Sequence, residues 1–371
     1  MSFFSTQKKE GKSAVIFLSS GSIEAGIFSD ASKINKLDLF VKENFKFIQN
    51  IDPDALEKET FLSLGKVLKK ILTENSKKIN NKKINRIFFV LGAPWYISTS
   101  ISIDIKKSNA FFVNKDEIIK ELELKNLENN EDYTVIESRI VSILANGYEI
   151  KDIKGKRAKH VSAKAISNLS EKRILKKIDH ETQKFFPEAY IKVSTLPSIS
   201  VEEISEKINK KNYLLVLSED EITEICLIKD KRSIESISVP FGKNTFLRAM
   251  IDQGLATDSN SADSMLKMFE EGHIASEKKE NIEKIMNETS LLCSKILKES
   301  LFRFIGKGSY PDSVAILNSS KEANLVIKNI FNDYYINNIG HKDFAKILLS
   351  KDLNESVLFS VAVSGIKSLY F

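Results

Sequence analysis

The sequence predicts a two-lobed α/β protein with a small α+β unit inserted in its first half. Three observations point there. Both halves of the chain open alike, with consecutive short apolar strands ahead of helical stretches. Residues 86–92, "RIFFVLG", form a continuous apolar run of the kind that becomes a strand buried on both faces. Behind that run, still within the first half, the pattern shifts to period-two alternation, interrupted by one helix and one hairpin.

The elements follow in order. Residues 1–12 read as a flexible arm. "SAVIFLSSGSIEAGIF" gives two strands around the turn Ser19-Ser20-Gly21-Ser22, and a third apolar run includes Leu37, Leu39 and Val41. Asp52-Pro53 marks a helix start, with a capping carboxylate ahead of a proline at the first helical position. Phe61, Leu64, Val67, Leu68 and Ile71 then recur at helical spacing. "WYISTSISID" alternates as a half-buried strand should, and "NKDEIIKELEL" is a helix capped by Asn114 with acids in its first turn. "YTVIESRIVSILANGYEI" is a β run broken at Asn146-Gly147, a dipeptide suited to positive φ.

Ile174, Ile178 and Phe185 mark a further helix, with a strand near Tyr190–Val193 behind it. Pro197 reads as a boundary, followed by a helix capped at Ser200 with Glu203. The runs "YLLVLS", "ITEICLI" and "SIESISV" are strands, and helical patterns fill 242–304, with Gly272 as a helix end. "DSVAILNSS" is a strand entering a turn, "KEANLVIKNIF" a helix, and "NESVLFSVAVSGIKSLYF" an apolar closing helix. The expected organisation is an arm at 1–12, a first lobe from 13–83 and 166–197 closed by 352–371, an insertion at 84–165, and a second lobe at 198–351.

Composition excludes several classes. The chain of 371 residues is 42% hydrophobic and 29% charged, an ordinary globular balance. Its net charge of +6 accompanies abundant Lys, Ile and Asn, a drift that gives no argument for nucleic-acid binding. Cys226 and Cys293 are the only cysteines, which builds neither a zinc site nor a disulfide framework and suits a reducing compartment. No apolar run reaches the ~18 residues that span a bilayer, and the start "MSFFSTQKKEGKS" lacks the apolar centre of a secretory signal. A cytoplasmic protein is expected.

The order of several stretches resembles the FtsA/PilM branch of the actin-like ATPases. "RIFFVLGAPWYISTSISI" followed by "FVNKDEIIKEL" is similar to the inserted SHS2-type domain of that branch. "ILANGYEIKDIKGKRAKHVSA" resembles its asparagine-glycine-tyrosine hairpin, "SVPFGKNTFLRAMIDQGLA" the strand and helix after its second phosphate loop, and "ESVLFSVAVSGIKSL" its closing helix. The likeness runs collinearly over roughly 13–370. It implies a bilobed actin-like fold, a duplicated ribonuclease H-like architecture, with an inserted small domain.

The resemblance also implies three nucleotide loops, and each departs from the family pattern. The first begins with aspartate in the family and here reads Ser19-Ser20-Gly21-Ser22, so Gly21 and Ser22 still offer backbone amides while Ser19 cannot organise magnesium as a carboxylate does. The second is an aspartate followed by glycines and here holds Glu219, Asp220 and Glu221. Without glycine its backbone does not readily take left-handed angles, and its charges would face a polyanion. The third, a glycine pair in the family, reads Asn318-Ser319-Ser320. Any nucleotide contact would fall on Gly21, Ser22, Asn318 and Ser319, and ATP with magnesium is disfavoured, which predicts a pseudo-ATPase.

Other residues carry two readings each. "GKS" at 11–13 echoes a Walker sequence but precedes its strand rather than following it. The four histidines, His160, His180, His273 and His341, lack carboxylates at metal-ligand spacing, so no metal site is expected. Glu219–Glu221 reads as a calcium ligand run or a solvated turn, and Lys82 and Lys83 as a lipid-facing patch or a solvated loop. Trp95 is a cover over a core or a peptide-groove anchor, and Tyr96, Phe111 and Phe112 carry the same two readings.

Two functions compete. The resemblance to PilM implies a scaffold under the inner membrane, in a type IV pilus or related envelope machine. It would hold a short cytoplasmic peptide of a membrane partner along the 84–165 unit, with homo-oligomers allowed. The resemblance to FtsA implies a nucleotide-binding filament in cell division, with Glu24 or Glu224 supplying a metal-facing carboxylate. Such proteins carry a C-terminal amphipathic helix, whereas this sequence stops at Phe371 directly behind the closing helix. Recruitment through a partner, without direct membrane insertion, is therefore expected.

Overall fold

The computed structural model describes residues 12–28, 37–78, 83–129, 131–150, 152–305, 311, 313–318, 330 and 357–370. Two sheets face each other across a shared core, and helices cover their outer sides. The first sheet contains β1 (Lys12–Leu18), β2 (Ser22–Phe28), β3 (Leu39–Asn44), β4 (Ile84–Leu91) and β9 (Tyr190–Thr195) in the order β3-β2-β1-β4-β9. The second contains β10 (Tyr213–Ser218), β11 (Thr223–Lys229), β12 (Arg232–Val239) and β13 (Val314–Asn318) in the order β12-β11-β10-β13. Both begin as an antiparallel meander whose first strand then pairs in parallel with a later one. The duplication expected from sequence is therefore present in the pairing itself.

Alternating side chains explain the layers. Val15, Phe17, Phe88 and Val90 point from the first sheet toward Leu215, Leu217, Cys226 and Ile228 of the second. Between them lie α4 (Leu196–Ile208) and the closing helix α8 (Val357–Tyr370), which bring Ile199, Ile204, Phe359 and Ile366 into the same core. The two helices touch at backbone distance, since a Cβ on Gly365 would stand 2.1 Å from the Ile199 carbonyl oxygen. The outer face of the first sheet carries α1 (Pro53–Lys78) and α3 (Lys172–Phe185), with Leu64, Val67, Leu68, Ile71, Ile174 and Ile178 buried. The outer face of the second carries α5 (Lys243–Asp252), α6 (Ser259–Glu270) and α7 (Ser276–Ile305).

A third sheet, β5-β8-β6-β7, is built from β5 (Ile97–Phe112), β6 (Tyr133–Ala145), β7 (Tyr148–Glu149) and β8 (Arg157–Glu171). One helix, α2 (Lys115–Asn129), supplies Ile118 and Leu122 to the core of this unit. Asn146 and Gly147 both have positive φ, 50° and 87°, as the β6–β7 turn requires.

Local chemistry accounts for the helix starts. The carboxylate of Asp52 accepts from the amides of Asp54 and Ala55 at the head of α1, and Asn114 Oδ1 accepts from Asp116 at the head of α2. Gly272, at φ 73°, ends α6. Among the described residues, no helix is long and apolar enough to cross a membrane.

Several expectations are corrected. β4 is hydrogen-bonded between β1 and β9, so it belongs to the first sheet rather than to an insertion beginning at residue 84. Helix α4 begins at Leu196 with Pro197 in its first turn, not at a Ser200 cap, because proline suits the first helical positions. β5 continues to Phe112 through an irregularity between Lys106 and Phe111, where polar residues hide the alternation. Lys12, assigned to the arm, is buried in β1 and donates to Asn75 Oδ1 at 2.8 Å, which removes the Walker reading of "GKS". Apart from Ile330, the segment "KEANLVIKNIF" lies outside the described residues, as do Lys82, Ser319, Ser320 and His341.

Candidate functional site

The β1–β2 and β10–β11 turns occupy equivalent places in the two sheets. Ser19 donates its amide to the Ser22 carbonyl, and Glu219 donates to the Ile222 carbonyl, so each turn is closed in the same way at the same length. Ser19 thus corresponds to Glu219, and Gly21 to Glu221. The two turns meet where the lobes join.

The amides of the first turn all have partners within the chain. Ser19 Oγ accepts from Gly21 N at 3.2 Å and from Ser22 N at 3.0 Å. Ser20 N donates to Glu219 Oε2 at 2.5 Å, and Ser20 Oγ accepts from Glu221 N at 3.1 Å. These donors are the ones a phosphate would use. The glycines nearby give space rather than unusual angles. A Cβ on Gly92 would lie 2.1 Å from Glu219 Oε1, one on Gly21 2.2 Å from Asp220 Oδ2, and one on Gly242 2.3 Å from the Glu219 carbonyl oxygen. The N-terminus of α5 is capped by the same turn, with Lys243 N donating to Glu219 O and Asn244 N to Asp220 O.

Burial fixes the electrostatics. Glu219 is 1% exposed, and burial pushes its carboxyl well above the usual range against the opposing pull of the Ser20 amide. Glu224, on β11, is pushed up to about 7 by burial, although it accepts the Tyr96 hydroxyl, whose proton lowers the value. Glu221 also rises through burial, opposed by Arg248 and Asn244. Arg248 Nη2 donates to both oxygens of Glu221, at 2.7 and 2.6 Å, and its Nε donates to the Ile48 carbonyl of the first lobe at 3.0 Å. Gln49 of the first lobe also donates to Asp252 of α5 at 2.7 Å. The solvated-turn reading of 219–221 is therefore overturned: Glu219 and Glu221 are buried in the seam between the lobes.

The expected nucleotide contacts stand as follows. Gly21 and Ser22 line the seam with their amides turned onto Ser19. Asn318 ends β13, buried beside Ser218. Glu24 pairs with Lys42 at 2.9 Å. A triphosphate with magnesium does not fit these residues as arranged, because the donors are taken and carboxyls occupy the glycine recesses. Among the described residues, no three His, Cys, Asp or Glu side chains are grouped to hold a metal ion. One Ser–His–Asp cluster exists on the inserted sheet, but His160 Nε2 faces both Asp104 Oδ1 (2.8 Å) and Ser162 Oγ (3.2 Å). A relay needs two different ring nitrogens, so this is a surface network.

The four aromatic residues do not gather in one place. Trp95 is 5% exposed in the first lobe's core, and its indole donates to the Ser19 carbonyl at 3.0 Å. Tyr96 is buried beside it. Both line a cavity of about 250 Å³ between α1, α3 and the base of the insertion. Phe111 and Phe112 sit at the far end of β5, under Lys107 and Arg157 respectively, and Phe112 is exposed.

Sequence reading missed a larger feature. A groove of about 970 Å³ runs between α2 and β6, with Ile119, Leu122, Val135, Ile140 and Ile153 on its walls. Among the described residues, β6 pairs with β8 along one side, while on the other it meets only β7, at Leu144 and Ala145. Most of that backbone edge is open. Tyr133, at the start of β6, also lines the smaller cavity, so the two spaces adjoin. The signal was present in a long β run following a helix, but an open edge depends on where neighbouring strands lie.

No protein-family profile and no curated protein matches the chain in sequence. Solved structures do match. The PilM–PilN type IV pilus biogenesis complex aligns with TM-score 0.60 over 97% of this chain and 98% of that one, at 8% identity. The ethanolamine utilization protein EutJ from Carboxydothermus hydrogenoformans aligns with TM-score 0.48 over 97% and 91%, at 6% identity. A Bacteroides thetaiotaomicron protein with an actin-like ATPase fold and unknown function gives 0.41 over 98% and 99%, at 11% identity. The chain has an actin-like fold.

Proposed function

We propose that this chain is a PilM-like scaffold of a type IV pilus or related envelope machine, with little or no ATP hydrolysis. It would stay on the cytoplasmic side and be recruited to the inner membrane by a partner. The observation that carries the reading is the groove between α2 and the open edge of β6. An exposed strand edge with an apolar wall beside it suits an extended peptide, which gains main-chain hydrogen bonds from the edge and side-chain pockets from the wall. The proposed occupant is a short apolar cytoplasmic segment of a single-pass membrane protein. The aligned neighbour is itself a two-protein pilus complex, which supports a partner of that kind. Trp95 and Tyr96 act in this reading from the adjoining cavity, and Phe111 and Phe112 lie beyond the groove.

The test is a fluorescence-anisotropy titration with short peptides from the cytoplasmic tails of single-pass membrane proteins encoded beside this chain. Micromolar binding that is lost on Ile119→Asp, a half-buried groove position, supports the reading. Absence of binding by all such tails, or binding indifferent to that substitution, contradicts it.

The FtsA-like filament remains the competing function. It needs nucleotide in the seam, and the buried pairings of Glu219 and Glu221 count against it.

A further inference from the structure

We propose that the second lobe's acidic turn is an intramolecular latch that sits in the first lobe's anion seat and holds the two lobes closed without a bound ligand. The latch is reciprocal. Glu219 takes the Ser20 amide while the Ser20 hydroxyl takes the Glu221 amide, so each turn both donates and accepts across 199 to 201 residues of chain. It is also fitted. Gly92 and Gly21 leave room for the side chains of Glu219 and Asp220, and Gly242 for the turn's own backbone, none of the three at positive φ. It is anchored from behind, because Arg248 Nη2 contacts both carboxyl oxygens of Glu221 while Nε bonds the first lobe's Ile48 carbonyl.

The physical comparison is with a bound nucleotide. In a clamp of this shape, a ligand between the lobes contributes contacts to both and favours the closed state. Here a carboxyl supplied by one lobe makes the contact to the other, so closure needs no ligand. The covalently tethered group competes at high effective concentration against any free anion. Burial favours the neutral form of Glu219, which lowers the cost of keeping it in the seam.

The inference does not depend on the groove holding a peptide. Peptide titration reads the scaffold, whereas the following experiment reads the latch alone.

The experiment is hydrogen–deuterium exchange on the full chain, following segments 17–24 and 45–50 on either side of the seam. In Glu219→Ala, amides in both segments should exchange about tenfold faster, since the seam opens locally. Inorganic triphosphate should then restore protection at 19–22 in the variant and leave the wild type unchanged. Exchange unaltered in either segment, or no response to triphosphate in the variant, overturns the latch. Glu219→Gln keeps an acceptor oxygen and should retain wild-type protection, so a Gln variant as fast as the Ala variant would also overturn it. If Glu219→Ala fails to fold, Ser20→Ala removes only the hydroxyl contact and is read by the same criteria in 17–24 and 45–50.

Discussion

The backbone amide of Ser20 donates a 2.5 Å hydrogen bond to the carboxyl of Glu219, joining two turns that occupy equivalent places in the two lobes. An acidic side chain thereby stands where the fold's geometry would let an anion approach. The consequences can be measured one contact at a time.

Gly92 and Glu219 should be strongly coupled. Gly92→Ala places a methyl group 2.1 Å from Glu219 Oε1 and is expected to cost about 1–3 kcal/mol by overpacking. In Glu219→Ala the obstacle is gone, so adding Gly92→Ala should cost little. Urea melts of the four proteins in this double-mutant cycle should give a favourable interaction term on the order of 1–2 kcal/mol. Additivity would mean that the recess is not filled by Glu219.

Stability should fall as pH rises from about 4.5 to about 7. Glu224 is held near 7 in the folded protein, against an ordinary value of 4.5 for the unfolded one, so in that window the folded state keeps a proton that the unfolded state has released. Stability is fully present below the unfolded value and is lost as pH rises through the folded one. The loss from this residue is on the order of 3 kcal/mol. Glu224→Gln should flatten thermal melting temperature against pH across that window. A slope unchanged by this substitution would assign the effect elsewhere.

Arg248→Ala should destabilise more than an ordinary surface change. Its partner Glu221 is buried and would keep Asn244 but lose its counter-charge, which costs about 3–5 kcal/mol. Adding Glu221→Gln should recover part of that loss in chemical denaturation, because no charge is then stranded. A loss equal in both backgrounds would show that Arg248 acts through the Ile48 carbonyl instead.

Trp95→Ala is expected to lower stability by about 3–5 kcal/mol, since the indole is core and holds the Ser19 carbonyl. Trp95→Phe keeps most of the volume and should lose about 1 kcal/mol with the hydrogen bond. Thermal melts of the pair separate packing from bonding; a Trp95→Phe variant as stable as the unaltered protein would discount the indole–Ser19 contact.

Much of the fold was legible because its strands carry continuous apolar runs. β1, β4 and β10 lie inside sheets covered on both faces, and their sequences state this directly. The starts of α1 and α2 were equally legible, because Asp52 and Asn114 act on amides two or three residues away. The start of α4 was not, since Pro197 reads equally well as an interruption or as a first-turn residue. The seam was the least legible part. Three consecutive acids look solvated, and what buries them is a serine turn 200 residues earlier together with Gly92 and Gly242. Asn244 and Arg248, four residues apart on one face of α5, were the available hint that Glu221 has partners.

Isothermal titration of the intact chain with ATP and magnesium tests the central claim most directly, that the protein's own acidic turn fills the place of a triphosphate. The account predicts no saturable heat up to millimolar nucleotide. Micromolar binding to the unaltered protein, accompanied by phosphate release, would contradict it.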